Sequence, residues 1–197
     1  MNHIQDQQII ISGVGGQGVL FITRLLAEAA IEKGIAVFTS ETHGMAQRGG
    51  TVVSHLKIGS FASPLIRPGM ADFLLALKPE SVGAHAGFLK PGGRIFLNSS
   101  EETTVPAGMT QTVVDADGIA RSMENHRSAN LVLLGAALAA GQNRESRPGE
   151  LFCRLPEMKS AIGQVLGGKT AFLDTAFKSI EAGFAEQNAS AMAGSRQ

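Results

Sequence analysis

The run Gln8–Ser12 holds three consecutive isoleucines with no polar break, the pattern of a strand buried on both faces, as in parallel sheets. From Val19 to Lys33 the spacing becomes helical. Leu20, Leu25, Leu26, Ala29 and Ala30 share one side, Arg24, Glu28 and Glu32 lie elsewhere, and Gly34 stops the helix. Ile35–Thr39 reads as a second short strand. Thr51–Ile58 alternates, with Val52, Ser54, Leu56 and Ile58 on one face and Val53, His55 and Lys57 on the other, which is strand periodicity. Gly59-Ser60 reads as a turn and Phe61–Ile66 as a returning strand. The expectation is therefore a β-hairpin inserted after the second strand, which makes the sheet mixed.

The α/β alternation then resumes. Asp72–Leu77 is a buried strand, and Lys78-Pro79-Glu80 opens a helix that runs to about Leu89. Pro91-Gly92-Gly93 is a turn, followed by strands at Arg94–Asn98 and Gln111–Val114 and a short helix at Ala116–Met123. Asn130–Gly141 is an apolar helix, and Pro156–Leu166 and Lys169–Gln187 are two more. Residues after about Asn188 are expected to fray, leaving 1–188 as one domain and 189–197 as a tail. The fold class is α/β: three layers, α/β/α, around a mostly parallel but mixed sheet, with helices at the C-terminus.

Lys and Arg together number 17, as do Asp and Glu, so the chain is neutral. That balance argues against nucleic acid, whose binding draws on a surplus of basic residues. The longest apolar stretch, Ala129–Ala140, is too short to span a bilayer, so no membrane partner is expected. The start of the chain lacks the basic-then-apolar pattern of a secretory signal. Cys153 is the single cysteine, which excludes an intramolecular disulfide and a cysteine-ligated iron–sulfur cluster built on this chain alone. A reducing cytoplasm is the simplest compartment. No His/Asp/Glu cluster has metal-ligand spacing, so no metal site is expected.

Two segments carry candidate chemistry. Gly13, Gly15 and Gly18 fit G-x-G-x-x-G between a strand and a helix, with Gly16 and Gln17 inside the run. Glycine permits positive φ and lets backbone N–H groups approach an anion at a helix N-terminus; equally, such a run can serve only a tight strand–helix turn. The second segment is Glu41–Gly50, read as a loop at the carboxyl end of the second strand, where clefts of open α/β sheets form. It carries Glu41, His43, Gln47, Arg48 and Gly49. Arg48 and the N–H groups of Gly15 to Gly18 would offer positive character to an anion, and Gln17 and Gln47 amide hydrogen bonds. Asn130 reads as the N-cap of its helix, or as an amide presented to a cleft. No residue is assigned a catalytic role.

These two segments, with Asn130-Leu131-Val132-Leu133-Leu134-Gly135 and a last helix holding Ala176-Phe177 and later Gly183, resemble the gamma-type subunit of 2-oxoacid:ferredoxin oxidoreductases. Among the pyruvate, ketoisovalerate and indolepyruvate types, the pattern is most similar to the small subunit of the indolepyruvate enzymes. The resemblance covers about Gln8 to Ala185; Asp174 stands where relatives often carry asparagine. It implies a subunit of a complex that converts a 2-oxoacid and coenzyme A to acyl-CoA, CO2 and reduced ferredoxin. It also implies that thiamine diphosphate, Mg and iron–sulfur clusters sit on partner subunits, with no cofactor on this chain alone. The chain would then be inactive by itself, would complete the assembly and help form the coenzyme A site, and would self-associate as a homodimer when isolated. The alternative is a free-standing Rossmann-type nucleotide-binding oxidoreductase, against which the inserted hairpin speaks. A third reading makes the chain an assembly subunit that holds no small molecule.

Overall fold

The computed structural model describes residues 6–43, 50–140, 150–167 and 170–194. At its centre is β1 (Gln7–Val14), where Ile9, Ile10 and Ile11 are fully buried. Both faces of this strand are covered, which is why its sequence does not alternate. It pairs antiparallel with β3 (Thr51–Ile58) and parallel with β4 (Ala71–Ala76). β2 (Val37–His43) lies outside β3, and β5 (Leu89–Asn98) and β6 (Thr110–Val114) extend the other side in parallel. The strand order is β2-β3-β1-β4-β5-β6. The sheet is mixed because β3 runs against both of its neighbours.

The expected hairpin takes a different form. Phe61–Ile66 is not a strand; β3 pairs instead with the preceding strand β2. The physical reason is that both edges of β3 are occupied, by β1 and β2, so a returning strand has no free hydrogen-bonding edge. Pro64 also removes a donor that a strand would need. The segment from Gly59 to Met70 crosses the sheet face as a strap, held where the Ile66 N–H donates to His55 Nδ1 at 3.2 Å. β2 also starts and ends later than expected. Glu41, Thr42 and His43, read as loop, extend the strand because Ser54, Val53 and Val52 supply its register partners.

Among the described residues, five helices cover one face: α1 (Val19–Glu32), α3 (Ala116–Ser122), α4 (Ala129–Ala139), α5 (Leu155–Leu166) and α6 (Thr170–Gly194). Ile9, Ile11, Leu56, Phe73, Leu75 and Phe96 of the sheet meet Ile22, Leu25, Leu26 and the α4 leucines there. The opposite face is covered by the short α2 (Glu80–His85), a 3-10 turn at Ala86–Phe88 and the strap. Its core is built on Ile10, Leu74, Ile95 and Leu97, the alternate residues of the same strands. α2 is thus shorter than the helix expected to reach Leu89. β5 takes up Leu89 to Gly93, expected as helix end and turn, across a register shift against β4.

Helix α4 is buried from Asn130 to Ala139 and so is apolar all round, as a helix between a sheet and another helix must be. It meets α6 backbone to backbone. A methyl group at Gly135 would overlap the Ile180 carbonyl oxygen, and one at Gly183 would overlap the Val132 carbonyl oxygen. α6 runs on to Gly194, so residues 189–194 are helix rather than frayed tail. Its final turns are rich in alanine, the strongest helix former, with no glycine or proline between Phe184 and Met192.

Candidate functional site

The parallel strands β1, β4, β5 and β6, and β2 beyond β3, end on one edge of the sheet. After β1 the chain turns to the α1 face, and after β4 it turns to the α2 face. The edge between the ends of β1 and β4 is therefore where helices depart to opposite sides, the usual place for a ligand in an open α/β sheet.

The glycine turn occupies this place. Gly16 has φ 93° and Gly18 φ 82°, both in the left-handed region where a side chain is strained. Gly13 is buried within β1, where a methyl group would stand 2.7 Å from Gln17 Oε1 and 3.0 Å from Leu77 Cβ. The Gln17 N–H donates to the Val14 carbonyl at 3.1 Å and the Gly15 N–H to the Gly50 carbonyl at 3.2 Å. The N–H groups of Gly16 and Gly18 have no acceptor among the described residues. The first turn of α1 carries no acidic side chain, so the positive end of its dipole is not neutralised from within.

Gln17 differs from its expected role. Its Oε1 accepts from the Val14 N–H at 2.9 Å and its Nε2 donates to the Leu77 carbonyl at 3.2 Å. The amide is spent on joining the ends of β1 and β4, because both strands leave a backbone group unpaired there. The same Leu77 carbonyl accepts from Asn98 Nδ2 at 3.3 Å. Asn98 in turn donates to Asp117 Oδ2 at 3.0 Å and accepts from the Asp117 N–H at 3.2 Å. This chain of amides knits the edge from β1 to α3. Nothing in the residue spacing marks it, because its hub is a main-chain carbonyl.

Asn130 also differs. Ser128 is the N-cap of α4, and Asn130 is its second residue. It is only 6% exposed, and its Oδ1 accepts from the Leu131 N–H at 2.8 Å. Its Nδ2 lies against Gly18, close enough that any side chain there would overlap it, and has no acceptor among the described residues. The fold thus brings together two segments more than a hundred residues apart in sequence: a glycine turn whose Gly16 and Gly18 N–H groups have no acceptor among the described residues, and the side-chain amide of Asn130 against the same helix N-terminus. Such a cluster of donors suits an oxyanion.

Glu41 is exposed near the end of β2 and pairs in register with Ser54. His43 closes β2 opposite Val52, which itself lies opposite Gly13. Gln47, Arg48 and Gly49 lie outside the described residues. The described segments of this loop therefore start and end at the edge that holds the glycine turn. A separate cleft of about 440 Å³ opens between β6, α3 and α6, lined among others by Asp115, Ser122, Glu186 and Ser190. Its described lining holds no cationic side chain, and the Asp115 carboxylate is spent on capping the Gly118 N–H at 2.8 Å.

The other titratable candidates lie outside the glycine turn, although His85 reaches β1 at Ser12 Oγ, 2.9 Å away. Cys153 is buried, and burial pushes its thiol up to about 12, with the Glu157 carboxylate adding to the rise. His55 and His85 are on the α2 face, both held below the ordinary imidazole value chiefly by burial. Among the described residues no three His, Cys, Asp or Glu side chains gather as metal ligands. No described helix is long and apolar enough to cross a membrane.

The family model described as pyruvate ferredoxin/flavodoxin oxidoreductase matches residues 8–186. Indolepyruvate oxidoreductase subunit IorB of Archaeoglobus fulgidus is 43% identical over 102 residues, 52% of this chain and 50% of that protein. Ketoisovalerate oxidoreductase subunit VorA of Methanothermobacter thermautotrophicus is 31% identical over 186 residues, 90% of this chain and 36% of that protein. The match thus spans about half of the first relative and a smaller part of the second. Among solved structures, the gamma subunit of a keto/oxoacid ferredoxin oxidoreductase from Geobacter sulfurreducens superposes with a TM-score of 0.73 at 27% identity, covering 93% of this chain and 99% of that one.

Proposed function

The chain belongs to the pyruvate ferredoxin/flavodoxin oxidoreductase family, and from that premise we propose that it is the gamma-type subunit of a cytoplasmic 2-oxoacid:ferredoxin oxidoreductase. The complex would oxidise a 2-oxoacid with loss of CO2, transfer the acyl group to the coenzyme A thiol and pass the electrons to ferredoxin. Thiamine diphosphate with Mg, and the iron–sulfur clusters, would be held by partner subunits and supply the carbon–carbon cleavage and electron transfer. The names of the relatives favour indolepyruvate first, then ketoisovalerate, a branched oxoacid.

This chain's own part is to help bind coenzyme A. The observation that carries the reading is the Asn130 amide, buried against Gly18 at the N-terminus of α1, beside the open N–H groups of Gly16 and Gly18. A phosphoryl oxygen there would accept from these donors without displacing a hydrogen bond among the described residues, and Arg48 would add a charge. Gln17 acts on the turn rather than on the ligand. Glu41 and His43 would position the loop or meet the thiamine-bearing subunit.

In the reconstituted complex, Asn130→Ala and Arg48→Ala should each raise the KM for coenzyme A with little change in the KM for the 2-oxoacid. Unchanged KM and kcat in both variants would leave the turn and loop as scaffold. An isolated chain that binds NAD or FAD would favour the Rossmann alternative instead. Size-exclusion chromatography with light scattering tests the homodimer expected when the partners are missing.

A further inference from the structure

Helix α4 starts beside the glycine turn, since Asn130 in its first turn lies against Gly18. Its N-cap, Ser128, makes no side-chain bond to the helix, because its hydroxyl donates to the Asn125 carbonyl at 2.9 Å. The backbone N–H groups of Ala129 and Asn130 have no acceptor among the described residues. Neither α1 nor α4 carries an acidic side chain in its first turn. Two positive helix ends therefore meet at Gly18. Such ends repel one another unless negative charge lies between them, and neither helix supplies it from its own first turn.

Arg127 stands immediately before this N-cap. It is exposed, and its side chain joins no ion pair or hydrogen bond among the described residues. The Ser128 N–H bonds the Asn125 carbonyl, and the Leu131 and Val132 N–H groups bond the Ser128 carbonyl, so the chain is already curled here. That curl keeps Arg127 within about one helical turn of Asn130, a gap that an arginine side chain spans. A 2-oxoacid carboxylate is one anionic group, which a single helix end can hold. A ligand with several phosphoryl groups can lie across both helix ends and reach a guanidinium beside them. We propose that Arg127 is a specificity-determining residue that pairs with a phosphoryl group of coenzyme A, while a neighbouring phosphoryl group lies between the ends of α1 and α4. The inference rests on the reading that this site takes coenzyme A, and it adds the residue by which the site selects a ligand with several phosphoryl groups over a single carboxylate.

The test is the KM for coenzyme A in the reconstituted complex, at low and high salt. Arg127→Ala should raise it by about tenfold and leave the KM for the 2-oxoacid unchanged. Arg127→Lys should keep part of the binding, and Arg127→Glu should lose more than Arg127→Ala. Salt should raise the KM of the parent more steeply than that of Arg127→Ala. The isolated variants should melt at the temperature of the parent, because this exposed side chain makes no bond that the fold needs. A KM for coenzyme A that Asn130→Ala raises and Arg127→Ala leaves unchanged would overturn the role of Arg127 and leave the function intact. An equal rise in both KM values of Arg127→Ala, the mark of a structural disturbance, would overturn it too. Unchanged KM values in both variants would overturn this inference and the coenzyme A reading together.

Discussion

Gly18 answers to two constraints at once. Its backbone is left-handed, with φ 82°, and its missing side chain is what leaves room for the Asn130 amide. Gly18→Ala should therefore cost about 1–3 kcal/mol, read from the urea midpoint, from backbone strain and the displaced amide together. Gly15 and Gly16 have open space around them. Of these, only Gly16 has a positive φ, so Gly15→Ala should be nearly neutral. Cys153 illustrates a residue that composition alone makes interesting and structure makes inert. With its thiol pushed up to about 12 by burial, it carries almost no thiolate at pH 8. A maleimide should label it in urea and leave it unlabelled in the native protein over the same time. Its position near the Lys33–Glu157 pair, 2.6 Å long, joins α1 to α5 and gives it a packing role.

Among the elements, α4 and α6 meet backbone to backbone. Gly135 and Gly183 let the two backbones touch, which no larger residue permits. Gly135→Ala or Gly183→Ala would push the helices apart and expose the apolar surface of α4. Each should lower stability by about 1–3 kcal/mol, and the double variant should cost less than the sum because the first already opens the gap. Thermal unfolding of the three variants checks both points. Displacing α4 would also move Asn130 away from Gly18, so these variants should raise the KM for coenzyme A although neither glycine lies at the site. The strap is set by a different logic. It lies flat because β3 has no edge to offer. Its ends are held through Ser60, Gly69 and Met70, and its middle is tied down by a hydrogen bond to an imidazole.

That imidazole makes the stability of the whole molecule depend on pH. His55 accepts from the Ile66 N–H, meets the Phe88 ring edge-on at 5.3 Å and is 4% exposed. His85 shares a hydrogen bond of 2.9 Å with Ser12 Oγ and lies over the same ring. Burial lowers the pKa of both; for His55 the charges of His85 and Lys57 add to the fall, and for His85 a bond to the Ser81 carbonyl partly opposes it. A lowered pKa means that the unfolded chain binds protons more readily than the folded one below the ordinary value of 6.5. Stability is therefore complete above that value and falls as the pH drops through and below it. An imidazolium has no acceptor for the Ile66 N–H, so the strap and α2 should loosen first. Urea midpoints from pH 8 to pH 5 should fall, and His85→Gln should flatten the dependence. A midpoint independent of pH over that range would contradict this account.

The order of elements, the buried central strand and the glycine turn were all legible in the residues, because each rests on local patterning: three isoleucines together, helical spacing after a glycine run, alternation in Thr51–Ile58. The family resemblance was legible for the same reason, since two short segments carry it. Pairing was not local. Whether Phe61–Ile66 forms a strand depends on which edge of β3 is free, and that is decided by β1 and β2. The role of Gln17 depends on a carbonyl at Leu77, sixty residues away, and that of Asn130 on a glycine it meets only when α4 packs beside α1. Backbone hydrogen bonds and packed surfaces must be satisfied wherever the fold puts them. Periodicity can therefore announce an element and its buried face, while the partner of each polar group is chosen by the assembled molecule.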